Sequence, residues 1–527
     1  MTKLFPSGRR LVVLHYHLRP GGVRRIIELA LPPILRSPVS RFESVVLATG
    51  EAAGENWTHA LENSLPPSVT LDFFQEPAFH YFSDSRVRPE TLRRRIRTAL
   101  DRLLPADQAE ETVVWAHNLG LARNLLLADE LRRITRERAI RLLSHHHDFW
   151  FENRWARWPE MQACGFRTLP DIAHAVFALA SRQGLATINR LDQSVLDQKM
   201  PRRAFWMPNL VAKGHPLSQA RIRRARKTLS SLLGDDGPIW LVPTRFLRRK
   251  NLAEAVLLTR WLRPEGWLVT TAGVSSPDEK AYARRLDQAA RQRNWRVRFR
   301  FLEDRREDRI GFDEMVAAAE VLLLTSVQEG FGLPYLEASA VAKPLLARRL
   351  PNVSPDLKSL GFRFPHLYDD ILIPPALFDF PREQARQQAL WRKWKTSLPA
   401  ACRPLAQPPV LCDQEPDAPV PFSRLTLTAQ LDVLRHPPGD SWDACKKWNP
   451  LLRRWFPLAG TGHLKVAEWP GTADARIGAA AYAERFHQTL RNLPDGAVSS
   501  QTATRVQKDF LIQRLGRDFL YPILMEQ

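Results

Sequence analysis

Cysteine is scarce in this chain. Four residues (Cys164, Cys402, Cys412 and Cys445) are spread over 527 positions with no CxxC pair, which excludes a zinc ribbon and a disulfide framework. A reducing, cytoplasmic setting is the expectation. Long apolar runs are missing as well. Stretches such as AEVLLLTS have the length of a core strand and fall well short of the roughly 20 residues of a membrane helix. The N-terminus MTKLFPSGRRLVVLHYHL is basic, but its apolar part is short and broken by histidines, so it reads as a first strand rather than a signal peptide. No Asp-x-Asp triplet occurs, which argues against a divalent ion holding a diphosphate. There is no tandem repeat.

What is abundant is positive charge. The formal net charge is +21, from 77 Lys and Arg against 56 Asp and Glu, and such a field attracts phosphates, acidic lipid or nucleic acid. Much of it sits on amphipathic helices. In TLRRRIRTALDRLL, Leu92, Ile96, Leu100 and Leu103 form an apolar stripe and the arginines fill the other face. The basic residues are not gathered with aromatics into a single-strand binding surface, and nucleic acid is not expected.

The length suggests two domains plus an extension. Apolar strands alternate with helical patterns from RRLVVLHYH through FESVVLATG, ETVVWAHN, AIRLLSHHHDF and HAVFALASRQGLATI to RRAFWMPNLV. A charged connector, SQARIRRARKTLSSLLGDDG, leads to a second series: PIWLVPTRF, GWLVTTAG, WRVRFRFL, AEVLLLTS and KPLLARRL. This alternation predicts an α/β protein with two Rossmann-like doubly wound domains facing a cleft. The expected boundaries are 1–215, 216–355, an irregular Pro- and Trp-rich extension at 356–500, and a C-terminal helix at 501–527. The tryptophan-rich GDSWDACKKWNPLLRRWFPLAG is expected to pack over the cleft rim.

Three strand ends carry candidate chemistry. Gly21 and Gly22 follow the first strand and open a helix, where backbone N–H groups meet phosphates, although glycine pairs at such turns are mostly structural. Arg245 and Lys250 follow the strand PIWLV and could clamp a diphosphate; a solvated run of cations explains them equally well by themselves. Asn251 is placed as an N-cap with Glu254 as its capping-box partner. In TSVQEGFGLPYLEASA, Glu329 and Glu337 bracket a Gly-Phe-Gly-Leu-Pro turn. Glu329 could accept from hexose hydroxyls, the Gly332 and Leu333 amides could meet oxygens, and Glu337 could reach vicinal ribose hydroxyls.

EGFGLPYLEA resembles the E-x7-E signature of retaining nucleotide-sugar transferases of the GT-B fold, glycosyltransferase family 4. HLRPGGV, RFLRRKN and TAG at Gly273 stand in the matching order, and the resemblance covers about residues 9 to 355. It implies that Arg245 and Lys250 stabilise a departing diphosphate, that Glu337 holds the ribose, and that Glu329, Phe331, Gly332 and Leu333 hold the donor sugar. Gly21 and Gly22 would lie against the donor phosphate and the acceptor. Base contacts are expected near Leu302 to Asp308, and the resemblance implies that the C-terminal helix packs back on the N-terminal domain.

WAHNLG and SHHHDFWFENRW look like acceptor-side strand ends of the same family. By that resemblance His147 is the active-site histidine facing the donor sugar, Asp148 positions an acceptor hydroxyl, and His117 is second choice. Strand alternation puts His145 and His147 on one face and His146 on the other, which speaks against a metal held by all three.

The expectation is therefore a metal-independent, retaining hexosyltransferase that needs no cofactor beyond a nucleotide diphosphate sugar as co-substrate. Its acceptor would be a saccharide or small hydroxylated molecule, and peripheral contact with the inner membrane face is compatible with it. A sugar phosphorylase with pyridoxal phosphate is the rival enzyme. The rival without catalysis is a basic nucleic-acid or membrane-surface binding protein on an inactive GT-B scaffold.

Overall fold

The computed structural model describes every residue except 1–8, 153, 212, 215–216, 275–276, 304–309 and 527. The chain divides into two units. The first comprises Met1–Ala212, Ser397–Leu405 and Thr472–Leu515; the second comprises Lys213–Thr396, Ala406–Gly471 and Gly516–Gln527.

The first unit is built on a parallel sheet of β1 (Arg10–Leu14), β2 (Ser44–Thr49), β3 (Thr70–Gln75), β4 (Thr112–His117), β5 (Arg141–His146), β6 (Gln183–Thr187) and β7 (Ala204–Trp206). Its order is β3-β2-β1-β4-β5-β6-β7. Every residue of β4, β5 and β6 is buried, as helices on both faces of a parallel sheet require. β3 has no counterpart among the expected strands. It is an edge strand with most side chains exposed, so it carries no apolar alternation to read.

The helix Pro89–Leu103 buries Leu92, Ile96, Leu100 and Leu103 as its stripe predicts. Its arginines are not all solvated, however. Arg93 and Arg97 reach the buried Glu130 on the neighbouring helix Leu125–Glu137, where Arg133 joins them. Burial alone would raise the Glu130 carboxyl, but these three guanidiniums hold it down to about 2.

The second unit repeats the plan with β8 (Ile239–Val242), β9 (Trp267–Thr270), β10 (Val297–Arg298), β11 (Val321–Leu324), β12 (Leu345–Arg348) and β13 (His366–Tyr368). All pairs are parallel and the order is β10-β9-β8-β11-β12-β13. The supposed connector before it is a helix, Gln219–Leu233, capped by Ser218 and ended by Gly234 at φ 86°.

Residues 356–500, expected to be irregular, carry a short edge strand and several helices. The prolines account for the misreading: Pro438 and Pro450 stand in first helical turns, where a missing N–H costs nothing. Trp442 and Trp455 belong to the second unit's core, and the indole of Trp261 donates to Ser441 Oγ at 2.9 Å. The tryptophan-rich stretch thus packs on the helix Leu252–Leu262 of its own unit. Thr472–Leu515 instead belongs to the first unit, where Phe510 of the helix Ser500–Arg514 packs on Phe149, Phe151 and Phe177. Among the described residues no helix is long and apolar enough to cross a membrane.

Candidate active site

Each sheet reverses its order once, between β1 and β4 in the first unit and between β8 and β11 in the second. At such a switch point the two flanking loops leave in opposite directions and open a crevice beyond the carboxyl ends of the strands.

In the second unit the loop after β8 carries Arg245, Arg249 and Lys250, and the loop after β11 carries Glu329. Lys250 is only 7% exposed, and its ammonium donates to Glu329 Oε1. Ser326 Oγ donates to the same oxygen at 2.6 Å, and Arg249 Nη1 to Oε2 at 3.1 Å. Asn352 Nδ2 fixes the Glu329 carbonyl at 2.6 Å, while Thr325 Oγ1 donates to the Lys250 carbonyl at 2.8 Å. Burial alone would raise the Glu329 carboxyl; Lys250 and Arg249 outweigh it and bring the group down to about 2. Burial likewise draws Lys250 down to about 8, against the pull of Glu329.

This changes two expectations. Lys250 is the internal partner of Glu329 before any ligand arrives, and Glu329 keeps only one open acceptor direction, on Oε2. Arg245, by contrast, is exposed and makes no ion pair among the described residues. Arg249, Ser326 and Asn352 were not singled out from sequence. Arg249 was hidden in the run Arg248-Arg249-Lys250, where only geometry tells which cation points inward.

Asn251 and Glu254 also differ from expectation. Asn251 adopts a left-handed backbone (φ 47°) and makes no side-chain cap; its amide donates to Glu254 Oε2 at 2.9 Å. Glu254 is fully buried and pairs with Arg348 and with the Tyr368 hydroxyl at 2.6 Å.

The turn that follows Glu329 leads into the helix Leu333–Ala340, with Pro334 in its first turn. Gly332 sits at φ 82°, and a Cβ there would come within 2.7 Å of Val353 Cγ1, so only glycine fits. Phe331 is buried, which leaves its backbone rather than its ring to meet a ligand. Leu333 and Glu337 are half-buried on the helix. Gly273, in the loop after β9, lies against the Glu303 carboxylate. Of the stretch expected to touch a base, Leu302 and Glu303 are described, while residues 304–309, Asp308 among them, lie outside the described residues.

In the first unit Gly21 and Gly22 follow β1 and start the helix Gly22–Arg36. Gly21 is extended at φ 168°, and a Cβ on Gly22 would meet nothing within 4 Å. β4 and β5 end in the histidines. His117 Nδ1 lies 3.1 Å from His147 Nε2, and the His145 and His147 rings stand 4.5 Å apart. His146 points the other way, stacking on Phe149 and accepting from the Gly120 amide at 3.2 Å. Asn118, left-handed at φ 59°, takes the amides of His147 (2.7 Å) and Asp148 (3.3 Å) on its side-chain oxygen. Asp148 stands 3.3 Å from Arg154.

The argument against a three-histidine set holds for His146 but not for His117. The ring nitrogens of His117, His145 and His147 lie within 4.8 Å of one another, a spacing that could admit a divalent ion. The contact between His117 and His147 satisfies one nitrogen of each as they stand. Burial pushes all three imidazoles below their ordinary value, His145 to about 3, so they are neutral near pH 7.

Residues 225–357, about a quarter of the chain, match the family described as glycosyl transferases group 1. Anabaena HepE, solved with UDP-glucose, superposes with a TM-score of 0.51 at 12% identity, covering 92% of this chain and 100% of that one. A glycosyltransferase from Rickettsia africae gives 0.50 at 10% identity, covering 93% and 99%. The fold is GT-B. Among curated relatives, the mannosylglucosyl-3-phosphoglycerate synthase of Petrotoga mobilis is 23% identical over 361 residues, 66% of each chain. The mannosylglucosylglycerate synthase of Thermotoga maritima is 24% identical over 342 residues, 60% of this chain and 71% of its own. The matched part thus spans about two thirds of these relatives' length.

Proposed function

We propose that the protein is a retaining glycosyltransferase that moves a hexose from a nucleotide diphosphate sugar to an acceptor hydroxyl without a metal. The observation that carries this reading is the Lys250–Glu329–Arg249 cluster at the switch point of the second sheet, inside the stretch that matches the transferase family.

Donor binding falls to the second unit. Arg245, exposed and unpaired among the described residues, would meet the diphosphate first, and Lys250 would share its charge between Glu329 and a phosphate oxygen. Glu337 would take the ribose hydroxyls. Phe331, Gly332 and Leu333 would offer backbone groups to the sugar, with the last acceptor direction of Glu329. In the first unit, the open space over Gly22 suits an approaching phosphate, and His147 and Asp148 would face the acceptor, with His117 setting the orientation of His147. The relatives' names speak of a mannosyl group joined to glucosylglycerate or its phosphorylated form, which supports a small saccharide-like acceptor.

The test is a thermal-shift panel of UDP-, GDP- and ADP-sugars with and without magnesium. A ligand at 100 times its dissociation constant stabilises the fold by roughly 2.7 kcal/mol. Arg245→Ala is the informative variant, because it removes a cation without stranding a buried carboxylate. One nucleotide class should stabilise the wild type without metal and lose its effect in the variant. No shift with any nucleotide sugar would overturn the reading.

A further inference from the structure

Several buried guanidiniums in this chain are met by carbonyls or carboxylates. Arg203 donates to the carbonyls of Ala180, Gln183, Asp495 and Gly496, Arg424 to those of Arg517, Asp518 and Leu520, and Arg348 pairs with Glu254 and Asp370. Arg123 and Arg157 of the first unit are not so met. Arg157 Nη1 and Arg123 Nε are buried without a hydrogen-bond partner, and neither residue makes an ion pair among the described residues.

They stand together. Arg123 leaves the loop after β4 and lies 4.6 Å over the ring of Tyr81, which comes from the segment after β3. Arg157 and Arg154 come from the segment after β5, and Tyr81 feels the charge of all three. The Phe82 amide donates to the Arg123 carbonyl at 2.8 Å, and Asn124 Nδ2 donates to His80 O at 2.8 Å, so the two segments are fixed to each other. The Tyr81 hydroxyl lies 2.9 Å from His17 Nε2 in the loop after β1. The set therefore sits beyond the carboxyl ends of β1, β3, β4 and β5.

Charge within the set is unevenly paired: Asp148 is held by Arg154, whereas Glu160 and Asp84 both lie beyond 4 Å from Arg123 and Arg157, and Glu160 has an unpartnered buried oxygen. Burial and the neighbouring cations draw Arg157 down to about 9, an unusual strain for a guanidinium. Neither Arg123 nor Arg157 has a carboxylate in contact among the described residues.

We propose that Arg123, Arg154 and Arg157, with Tyr81, bind an oxyanion carried by the acceptor, so that the acceptor is a hydroxylated small molecule bearing a carboxylate or a phosphate. That it is an acceptor rests on the transferase reading; the oxyanion site itself does not. Forked guanidiniums suit either group, and the set stands beside His17, whose ring lies 5.4 Å from that of His15.

The experiment titrates the full chain, without nucleotide, with inorganic phosphate and separately with glycerate, by calorimetry. Wild type is expected to bind at least one, and Arg157→Gln and Arg123→Gln to weaken that binding by roughly tenfold or more. Which anion binds separates the phosphate source from the carboxylate source. Arg157→Lys should recover part of the affinity, since it keeps the charge and loses the fork. Nucleotide-sugar shifts in the same variants should match wild type, which also shows that they fold. If neither anion binds wild type, or the arginine variants bind as well as wild type, the site is refuted. If the anion arms succeed while no nucleotide sugar binds, the transferase reading falls and the oxyanion site stands.

Discussion

The ammonium of Lys250 donates to the carboxylate of Glu329 across a separation of 79 residues, and both groups are buried. The two loops at the switch point of the second sheet are thereby tied before any ligand is present. A buried pair contributes little net stability, but breaking it strands a charge.

Glu329→Gln should therefore destabilise the fold by about 3–5 kcal/mol, seen as a lower urea midpoint. Adding Lys250→Met should restore part of the loss, because no unpaired ammonium remains. Simple additivity of the two single effects would show that the groups do not act as a pair.

Two glycines should respond in opposite ways. Gly332→Ala forces a left-handed backbone and a clash with Val353, and about 1–3 kcal/mol of stability should be lost. Gly22→Ala meets open space and should leave unfolding almost unchanged while weakening nucleotide-sugar binding. Equal unfolding midpoints for Gly332→Ala and wild type would contradict the geometry.

Acid should destabilise the protein before its carboxylates titrate. Burial holds His15, His145 and His146 at about 3, below their ordinary value of 6.5. Between those values the unfolded chain binds protons that the folded chain refuses, so stability is full above pH 6.5 and falls as pH drops through that window. Glu329 adds its loss later, between 4.5 and about 2. Calorimetry should find Tm falling from pH 7 to 5, with a shallower slope in His145→Gln. A flat profile over that range would mean that the imidazoles are not buried neutral.

Chelation supplies a fourth check. If nucleotide-sugar binding relies on Arg245 and Lys250 alone, the thermal shift should survive dialysis against EDTA. Loss of the shift, restored by zinc and absent in His145→Gln, would assign an ion to His117, His145 and His147 instead.

The sequence determined the local plan. Short apolar strands alternating with helices required parallel sheets, and chain order alone placed the glycine pair, the Arg245–Lys250 loop, the histidines and the Glu329 turn at strand ends. Those features depend on periodicity and turn chemistry over a few residues. Tertiary structure decided what spans long separations. Periodicity gives no sign that Lys250 would spend its charge on Glu329, that Glu254 would turn inward to Arg348, or that Arg123 and Arg157 would meet around Tyr81. The family resemblance implied the return of a C-terminal helix to the first domain, but periodicity gives no sign that the returning segment is Thr472–Leu515. Charge pairing and desolvation depend on distance in space, and an arginine that is buried reads in sequence like one that is solvated.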